Sequence, residues 1–170
     1  GTTITYRDDP FFIDPRNKKL GARGIVNLEK LYLSIKKLEL KLEDSKNYYE
    51  LSYNLGIAQI NTKNLQEKIF GLECNFEELN GIDFKKGCYV GQENTARMKL
   101  KNKVRKKLFA IKSNDKLKIG SDINFNSIKI GQIVIDEPYP FGLIKIVDPD
   151  FSEYKDKDLL INDSKSKIIQ

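Results

Sequence analysis

Apolar positions in the first half of the chain recur every three or four residues, a spacing typical of helices. Five of them predict a helix from Leu28 to about Lys37, which Asn27 can cap (Leu28, Leu31, Tyr32, Ile35, Leu38). A second helix is predicted from Lys46 to Leu55, with Asp44 or Ser45 as its cap and Gly56 at its end. Shorter alternating runs ahead of these helices predict strands (Thr3 to Tyr6, Phe11 to Ile13, Ala22 to Val26).

The middle of the chain has weaker periodicity. Leu38, Leu40 and Leu42 alternate with charged residues, which indicates a short extended segment. The polar stretch from Ile57 to Lys68 predicts a loop with short helical pieces. One helical turn is predicted from Phe76 to Leu79, and a further short helix is predicted from Val90 onward.

Beyond about Lys103 the apolar period becomes two, which is typical of strands. The predicted strands are separated by turn residues such as Asn126-Ser127, Pro138 and Pro140 (strands Val104 to Lys112, Asp122 to Asn126, Ile128 to Ile135, Leu143 to Val147, Leu159 to Ile161). The tail from Asp163 to Gln170 can add an edge strand. The chain is therefore predicted to be α+β, with a mixed domain over residues 1–102 and a small antiparallel β-barrel or sandwich over residues 103–170.

Composition narrows the possible chemistry. The 170 residues are 39% hydrophobic and 32% charged, with a net charge of +6 and no histidine. The absence of histidine excludes Ser-His-Asp and Cys-His catalysis. Cys74 and Cys88 lack the spacing of a zinc site or a disulfide scaffold, so we expect a reducing compartment, either the bacterial cytoplasm or the mitochondrial matrix. No apolar run is long enough to cross a membrane.

The stretch from Lys85 to Arg97 carries the candidate chemistry. Gly87 and Gly91 bracket Cys88-Tyr89-Val90 and allow sharp backbone turns on both sides of the thiol. Lysines precede Cys88 and a helix start follows it, an environment that favours the thiolate. The alternative is that Cys88 is a small buried apolar residue, the commoner role of a lone cysteine.

This stretch and four others carry a resemblance to a known family. The sequence K-G-C-Y-V-G-Q-E with T-A-R resembles the signature of YgfZ-type folate-binding proteins, which are relatives of the glycine-cleavage T-protein, an aminomethyltransferase. Similar matches are the run from Gly71 to Ile82, Asp14-Pro15-Arg16, Leu20-Gly21-Ala22-Arg23, and Val104 to Leu108. The resemblance is dense from Gly71 to Leu108 and looser at both ends.

The resemblance implies a partial T-protein-like folate-binding domain followed by a β-barrel domain, as in the C-terminal portion of a longer family member. It implies an accessory role in iron–sulfur cluster assembly or repair, with tetrahydrofolate as a ligand. Cys88 is then the reactive thiolate, or one ligand of a cluster shared with an A-type carrier or a target iron–sulfur protein. The implied folate-binding residues surround it (Lys86, Gly87, Tyr89, Gly91, Gln92, Glu93, Arg97).

Two other functions stay open. A folate-dependent one-carbon transferase is the first, although Ser52-Tyr53-Asn54 stands where the T-protein has an arginine and a glutamate. That departure makes turnover less expected. The second is a nucleic-acid-binding, tRNA-related module, because the run from Arg97 to Lys107 holds seven cations and no acid and could form a strand with one cationic face. The run lacks the aromatic residues of single-strand binders, so this alternative is the least favoured.

Overall fold

The computed structural model describes residues 3–6, 9–87 and 92–169 of the chain. The chain forms two compact units, Gly1–Tyr48 and Tyr49–Gln170. Together they combine helices with a closed antiparallel barrel, so the α+β prediction is confirmed. Residues 49–102 lie in the same unit as the barrel. The predicted division into residues 1–102 and 103–170 stays a prediction.

The first unit is a three-stranded antiparallel sheet followed by a helix. Its strands β1 (Thr3–Tyr6), β2 (Asp9–Ile13) and β3 (Ala22–Gly24) pair in sequence order. Helix α1 (Leu28–Lys37) has the predicted bounds, because the side chain of Asn27 accepts hydrogen bonds from two backbone N–H groups of its first turn. The leucines at positions 38, 40 and 42 form no strand and are exposed.

An ion-pair network closes the turn after β2. The carboxylate of Asp14 is buried and accepts hydrogen bonds from the backbone N–H, Nε and NH2 of Arg16 at 2.8–3.0 Å. Arg23 reaches the same carboxylate at 2.7 Å, and both guanidinium groups donate to the hydroxyl of Tyr48. The side-chain hydrogen bond from Arg16 lowers the pKa of Asp14 to about 2, and the charges of Arg16 and Arg23 act in the same direction. The residues that resemble a family motif here therefore hold the first unit together.

Helix α2 (Ser45–Asn54) begins and ends at residues suited to those positions. The carboxylate of Asp44 accepts a hydrogen bond from the N–H of Lys46 at 2.8 Å. Gly56 has a φ of +71°, and its N–H donates to the carbonyl of Tyr53. The predicted start and stop signals are thus confirmed to within one residue.

Six strands close the barrel, as the period-two pattern predicts. They are β4 (Lys106–Ser113), β5 (Asp122–Phe125), β6 (Ile128–Ile135), β7 (Phe141–Lys145), β8 (Leu159–Ile161) and β9 (Ser164–Ile168). The order around the barrel is β4-β7-β6-β5-β8-β9, with every pairing antiparallel. Inward-facing strand residues form one apolar core together with Leu117 and Tyr154 from the connections between strands (Ile111, Leu117, Ile123, Ile130, Ile133, Ile144, Tyr154, Leu159, Ile161, Ile168).

Two-residue turns set the register of two hairpins of the barrel. Asn126-Ser127 joins β5 to β6, and Asn162-Asp163 joins β8 to β9. All four residues have a positive φ between +48° and +65°. Positive φ at both central positions is the geometry whose twist matches that of paired strands, and Asn and Asp tolerate it.

Tyr53 fixes α2 to the outside of the barrel. Its hydroxyl donates to the carbonyl of Ile111 in β4 at 2.5 Å, and its ring packs against Tyr139 and Phe141. Burial raises the pKa of Tyr53 to about 12. The side chain therefore serves packing, and α2 is a fixed neighbour of the barrel wall.

The segment between α2 and the third helix is mostly turns. Its described part contains the short 3-10 helix Thr62–Leu65 and consecutive turns over residues 71–80. The helical turn predicted at Phe76 to Leu79 is among them, since the N–H of Leu79 donates to the carbonyl of Asn75 and the N–H of Gly81 to that of Phe76. Left-handed φ angles at Asn75 and Asn80 limit it to a single turn. None of the described helices is long and apolar enough to cross a membrane.

Helix α3 (Gln92–Leu100) confirms the helix predicted after the glycine-bracketed thiol. Asn102 has a φ of +46°, the N–H of Lys103 donates to the carbonyl of Met98, and the N–H of Asn102 donates to that of Lys99. This pair of bonds is the Schellman arrangement that ends a helix. The strand with one cationic face that the nucleic-acid alternative requires does not form at the start of the basic run, because Arg97 and Lys99 lie in this predicted helix.

Candidate functional site

The predicted site surrounds a short segment that the structure does not describe. Cys88, Tyr89 and Gly91 lie outside the described residues, as does the side chain of Gln92, although its backbone opens α3. Lys86 and Gly87 are the last described residues before this segment, and both are exposed. The assignments of these residues to a thiolate and a folate site remain predictions. The structure describes the residues on either side of this segment.

Lys99 connects the two flanks of this segment. Its ammonium group contacts both carboxylate oxygens of Glu77 at 2.7 Å. The same nitrogen lies 5.9 Å from the centre of the Phe84 ring, within cation–π range. Phe84, three residues before Gly87, and the helix that follows therefore meet at one side chain.

Glu93 and Arg97 are one turn apart on α3, and both are exposed. A carboxylate in the first turn and a cation in the last turn both complement the helix dipole. This spacing places the two predicted folate-binding side chains on one helix face. Their exposure leaves them accessible to a ligand or to a partner protein.

The turns at residues 70–81 are fixed to the barrel strand β4. The backbone N–H of Leu108 donates to the carbonyl of Glu73 at 2.8 Å, and the amide of Asn75 donates to the carbonyl of Leu108 at 2.6 Å. An ion pair between Lys107 and Glu78 adds a third connection. The barrel is thus the platform on which the segment ahead of the predicted site is built.

A cavity of about 570 Å³ opens between these turns, the end of α2 and β4. Its size falls within the range of small-molecule sites. Most of its wall is apolar, and its polar groups include one lysine, one glutamate and the Asn75 amide (Gly56, Ala58, Thr62, Lys63, Leu65, Gln66, Glu67, Ile69, Gly71, Cys74, Asn75, Phe76, Leu79, Leu108). A second cavity of about 490 Å³ shares Gly56, Asn75, Leu79 and Leu108 with it.

Cys74 lies in the wall of the larger cavity. It is half-buried, and burial together with the nearby charge of Glu73 raises the pKa of its thiol. A raised pKa keeps the thiol protonated at neutral pH, so it is a weak nucleophile and a weak metal ligand. Among the described residues, no group of three or more Cys, Asp or Glu side chains is placed to hold a metal ion. The half-buried thiol of Cys74 is therefore the less reactive kind of cysteine.

Sequence reasoning missed the residues that frame the site. Glu77, Phe84 and Lys99 meet although Glu77 and Lys99 are 22 positions apart. Nothing in the local pattern marks this contact, because it depends on how the turns fold back toward α3. The only available signal is that acids at positions 77 and 78 are matched by cations further along the chain, and this does not specify which residues pair.

Comparison with known proteins points to one named group. The chain is 37% identical to the iron-sulfur cluster assembly factor IBA57 homolog, mitochondrial, of Dictyostelium discoideum, over 65% of this chain and 30% of that protein. It is 33% identical to the iron-sulfur cluster assembly factor IBA57, mitochondrial, of Mus musculus, over 66% of this chain and 29% of that protein. A homolog of the same name in Neurospora crassa is 38% identical over 56% of this chain.

The chain spans less than a third of the length of these curated relatives. No protein-family model matches it.

Proposed function

We propose that this chain is part of an accessory factor for iron–sulfur cluster assembly. The observation that carries the proposal is the identity of 33–38% to proteins named as iron–sulfur cluster assembly factors. The stretch with the candidate thiol and its framing turns gives that role a chemical basis. These relatives are mitochondrial proteins, so we propose the mitochondrial matrix as the compartment and set aside the bacterial cytoplasm.

Cys88 is the proposed contact with the cluster, which is the cargo of the reaction. Lys85 and Lys86 precede it, and α3 begins four residues after it. Cations and a helix start both favour the thiolate, the form that binds iron. One thiolate fills only one of the four ligand positions of a cluster, so a partner protein must supply the others.

The test is anaerobic reconstitution of the chain with iron, sulfide and an A-type carrier protein, read by the visible spectrum of a shared cluster. Cys88→Ser should lose the shared cluster and keep the fold, because a hydroxyl has nearly the shape of a thiol and binds iron poorly. Cys74→Ala is the matched control and should behave like the unchanged chain, since its thiol is protonated. A shared cluster that survives Cys88→Ser would overturn the assignment of Cys88.

Tetrahydrofolate is the proposed small-molecule ligand, and the larger cavity supports it. The apolar wall fits an aromatic ring system, and Lys63 offers a cation for a carboxylate. The resemblance instead suggests a carboxylate contact at Arg97, on exposed α3. The two places do not share residues, so binding measurements can separate them.

Calorimetric titration tests whether tetrahydrofolate binds, and alkylation of Cys74 tests in which of the two places it binds. In the Cys88→Ser background, Cys74 is the sole thiol, and slower alkylation of Cys74 in the presence of ligand would locate the ligand in the cavity. Loss of binding in Arg97→Ala without protection of Cys74 would locate it at α3. No heat with tetrahydrofolate, and no protection of Cys74, would remove folate from the proposal.

One-carbon transfer is the second candidate, and the structure of α2 weighs against it. The hydroxyl of buried Ser52 donates to the carbonyl of Ile57 at 2.6 Å, and Tyr53 is committed to the barrel. Asn54 is exposed and carries no carboxylate. Ser52 and Tyr53, in the segment where the T-protein has its arginine and glutamate, therefore support the fold in this chain. Methylene turnover by the chain with tetrahydrofolate would revive this candidate.

A further inference from the structure

We propose that the exposed cations at the end of α3 and the start of β4 form a docking surface for the acidic face of a partner protein. We call this the basic surface and define it by the exposed Arg97, Lys101, Lys103, Arg105 and Lys106, together with the partly buried Lys145 of β7, which lies opposite Lys106. The inference rests on the proposed function, which requires a cluster-carrying partner. It adds where that partner binds and the charge that its surface must have.

The structure sorts the cations of this region into two groups. Lys99 and Lys107 are used internally, because they pair with Glu77 and Glu78. The other five between Arg97 and Lys107 are exposed, and none forms an ion pair with a described residue (Arg97, Lys101, Lys103, Arg105, Lys106). The carboxylates of Glu77 and Glu78 are thus already paired with Lys99 and Lys107, and the five outward cations are free of ion pairs with described acids.

Lys106 and Lys145 make the charge of this surface unfavourable for folding. They are directly opposite each other on β4 and β7, where like charges destabilise a sheet. A second lysine pair, Lys112 opposite Lys167, occurs between β4 and β9, but there Asp158 lies 3.4 Å from Lys167. No acid among the described residues pairs with Lys106 or Lys145. A repulsion left without relief indicates that positive potential at this place serves binding.

The backbone presents the cations in fixed positions. The Schellman bonds at the end of α3 fix the backbone of residues 101–103, and the N–H of Ile146 donates to the carbonyl of Arg105 at 2.8 Å. The segment between helix and strand is therefore attached at both ends. Side chains on such a segment lose less backbone freedom on binding, which favours association.

Leu100 indicates that the partner is a protein. It is the last residue of α3 and is 85% exposed, with Lys99 and Lys101 beside it. An apolar residue surrounded by cations matches the apolar centre and charged rim of protein interfaces. Nucleic-acid surfaces of single-strand binders add aromatic side chains for stacking, and residues 97–107 contain none. An acidic protein surface with an apolar contact is therefore the better fit.

The experiment measures binding of an A-type carrier protein by biolayer interferometry at low and at physiological salt. The test variants are Lys101→Glu, Lys103→Glu and Lys106→Glu combined, and Leu100→Ser alone. Lys112→Glu is the matched control, since it lies on the same strand and belongs to the relieved lysine pair. Charge reversal should weaken binding by about 10- to 100-fold at low salt and flatten its salt dependence. The control should bind like the unchanged chain.

A milder variant separates docking from folding. Lys106→Gln removes the repulsion with Lys145, so its melting temperature should be unchanged or raised while its association rate falls by about 2- to 5-fold. A lysine with only a structural role would lose stability instead. A lowered melting temperature with unchanged binding would count against the proposal.

Other outcomes distinguish this proposal from the proposed function. If the unchanged chain binds the carrier and the triple variant binds it equally well, the basic surface is not the docking site, and the role in cluster assembly stands. Submicromolar binding of a single-stranded RNA oligomer at physiological salt, lost in the triple variant, would replace the protein partner by nucleic acid. No binding of the carrier to the unchanged chain at any salt would overturn both proposals.

Discussion

Replacing Asp14 by asparagine should loosen the first unit and leave the barrel unchanged. The carboxylate is 2% exposed and accepts every hydrogen bond that Arg16 and Arg23 direct toward the turn after β2. An asparagine side chain keeps the shape but removes the charge and one acceptor. Two guanidinium groups then face a neutral amide, with Tyr48 as their remaining acceptor.

The magnitude follows from the pKa of Asp14. A fall from 3.8 to about 2 corresponds to ~2.5 kcal/mol of stabilisation at neutral pH. Because the side chain of Arg23 is 45% exposed, water replaces part of this interaction, and we expect a loss of about 1 to 2.5 kcal/mol. The pKa is depressed in the folded state, so the stabilisation is complete above the unfolded pKa and disappears as the pH falls from about 4 to about 2.

Hydrogen exchange read by mass spectrometry measures this loss in the right place. Amides of β2 and β3 should exchange about 5- to 70-fold faster in Asp14→Asn at pH 7, and barrel amides should not change. Asp122→Asn is the control, because the ion pair of Asp122 with Lys129 is about half exposed on both sides and is worth little. A change below twofold in β2 and β3, or an equal change in the barrel, would refute the reasoning.

Three further expectations concern the second unit. Gly131→Ala should destabilise the barrel by about 1–3 kcal/mol in urea unfolding, because a Cβ there lies 2.5 Å from a backbone oxygen of β7. Gly142→Ala should cost less, because the atoms nearest to a Cβ there belong to the side chains of Ile123 and Ile111 and not to the backbone. Burial raises the pKa values of Tyr53 and Tyr154 to about 12. Their contribution to stability is therefore complete below pH 10 and should be lost between pH 10 and 12, which a lower urea midpoint at pH 11 than at pH 9 would show. Cys74→Ala removes one sulfur from a cavity wall and should change the unfolding free energy by less than about 1 kcal/mol.

The sequence predicted the elements whose stabilising contacts are local. Helix α1 has the predicted bounds because its cap and apolar face lie within one stretch of sequence. The barrel strands were predicted because inward and outward residues alternate, and the turn at Asn126-Ser127 carries its own signal. The closure of the six strands into a barrel required pairing between β4 and β9, which are far apart in the chain, and no local pattern specifies it.

Elements that depend on distant contacts were predicted less well. The predicted helical turn at Phe76 to Leu79 is present, but no local pattern indicates the hydrogen bonds that join residues 73 and 75 to Leu108 of β4. The alternating charges of the basic run left a strand with one cationic face open as an alternative, but α3 ends inside the run at Leu100. Alternation over a few residues cannot separate a strand from a helix end followed by an extended link.

The roles of the motif residues can be divided by what the fold already requires of them. Asp14, Arg16 and Arg23 are held in a buried network, and Cys74 fills part of a cavity wall, so the fold alone accounts for these matches. Glu93 and Arg97 are exposed on α3 and contribute to no buried contact among the described residues. A shared residue that the fold does not need is better explained by something outside the chain. The stretch around Cys88 and the helix that follows it are therefore the parts of the motif most in need of a functional explanation. On that helix, Glu93 and Arg97 are accessible to a partner or ligand.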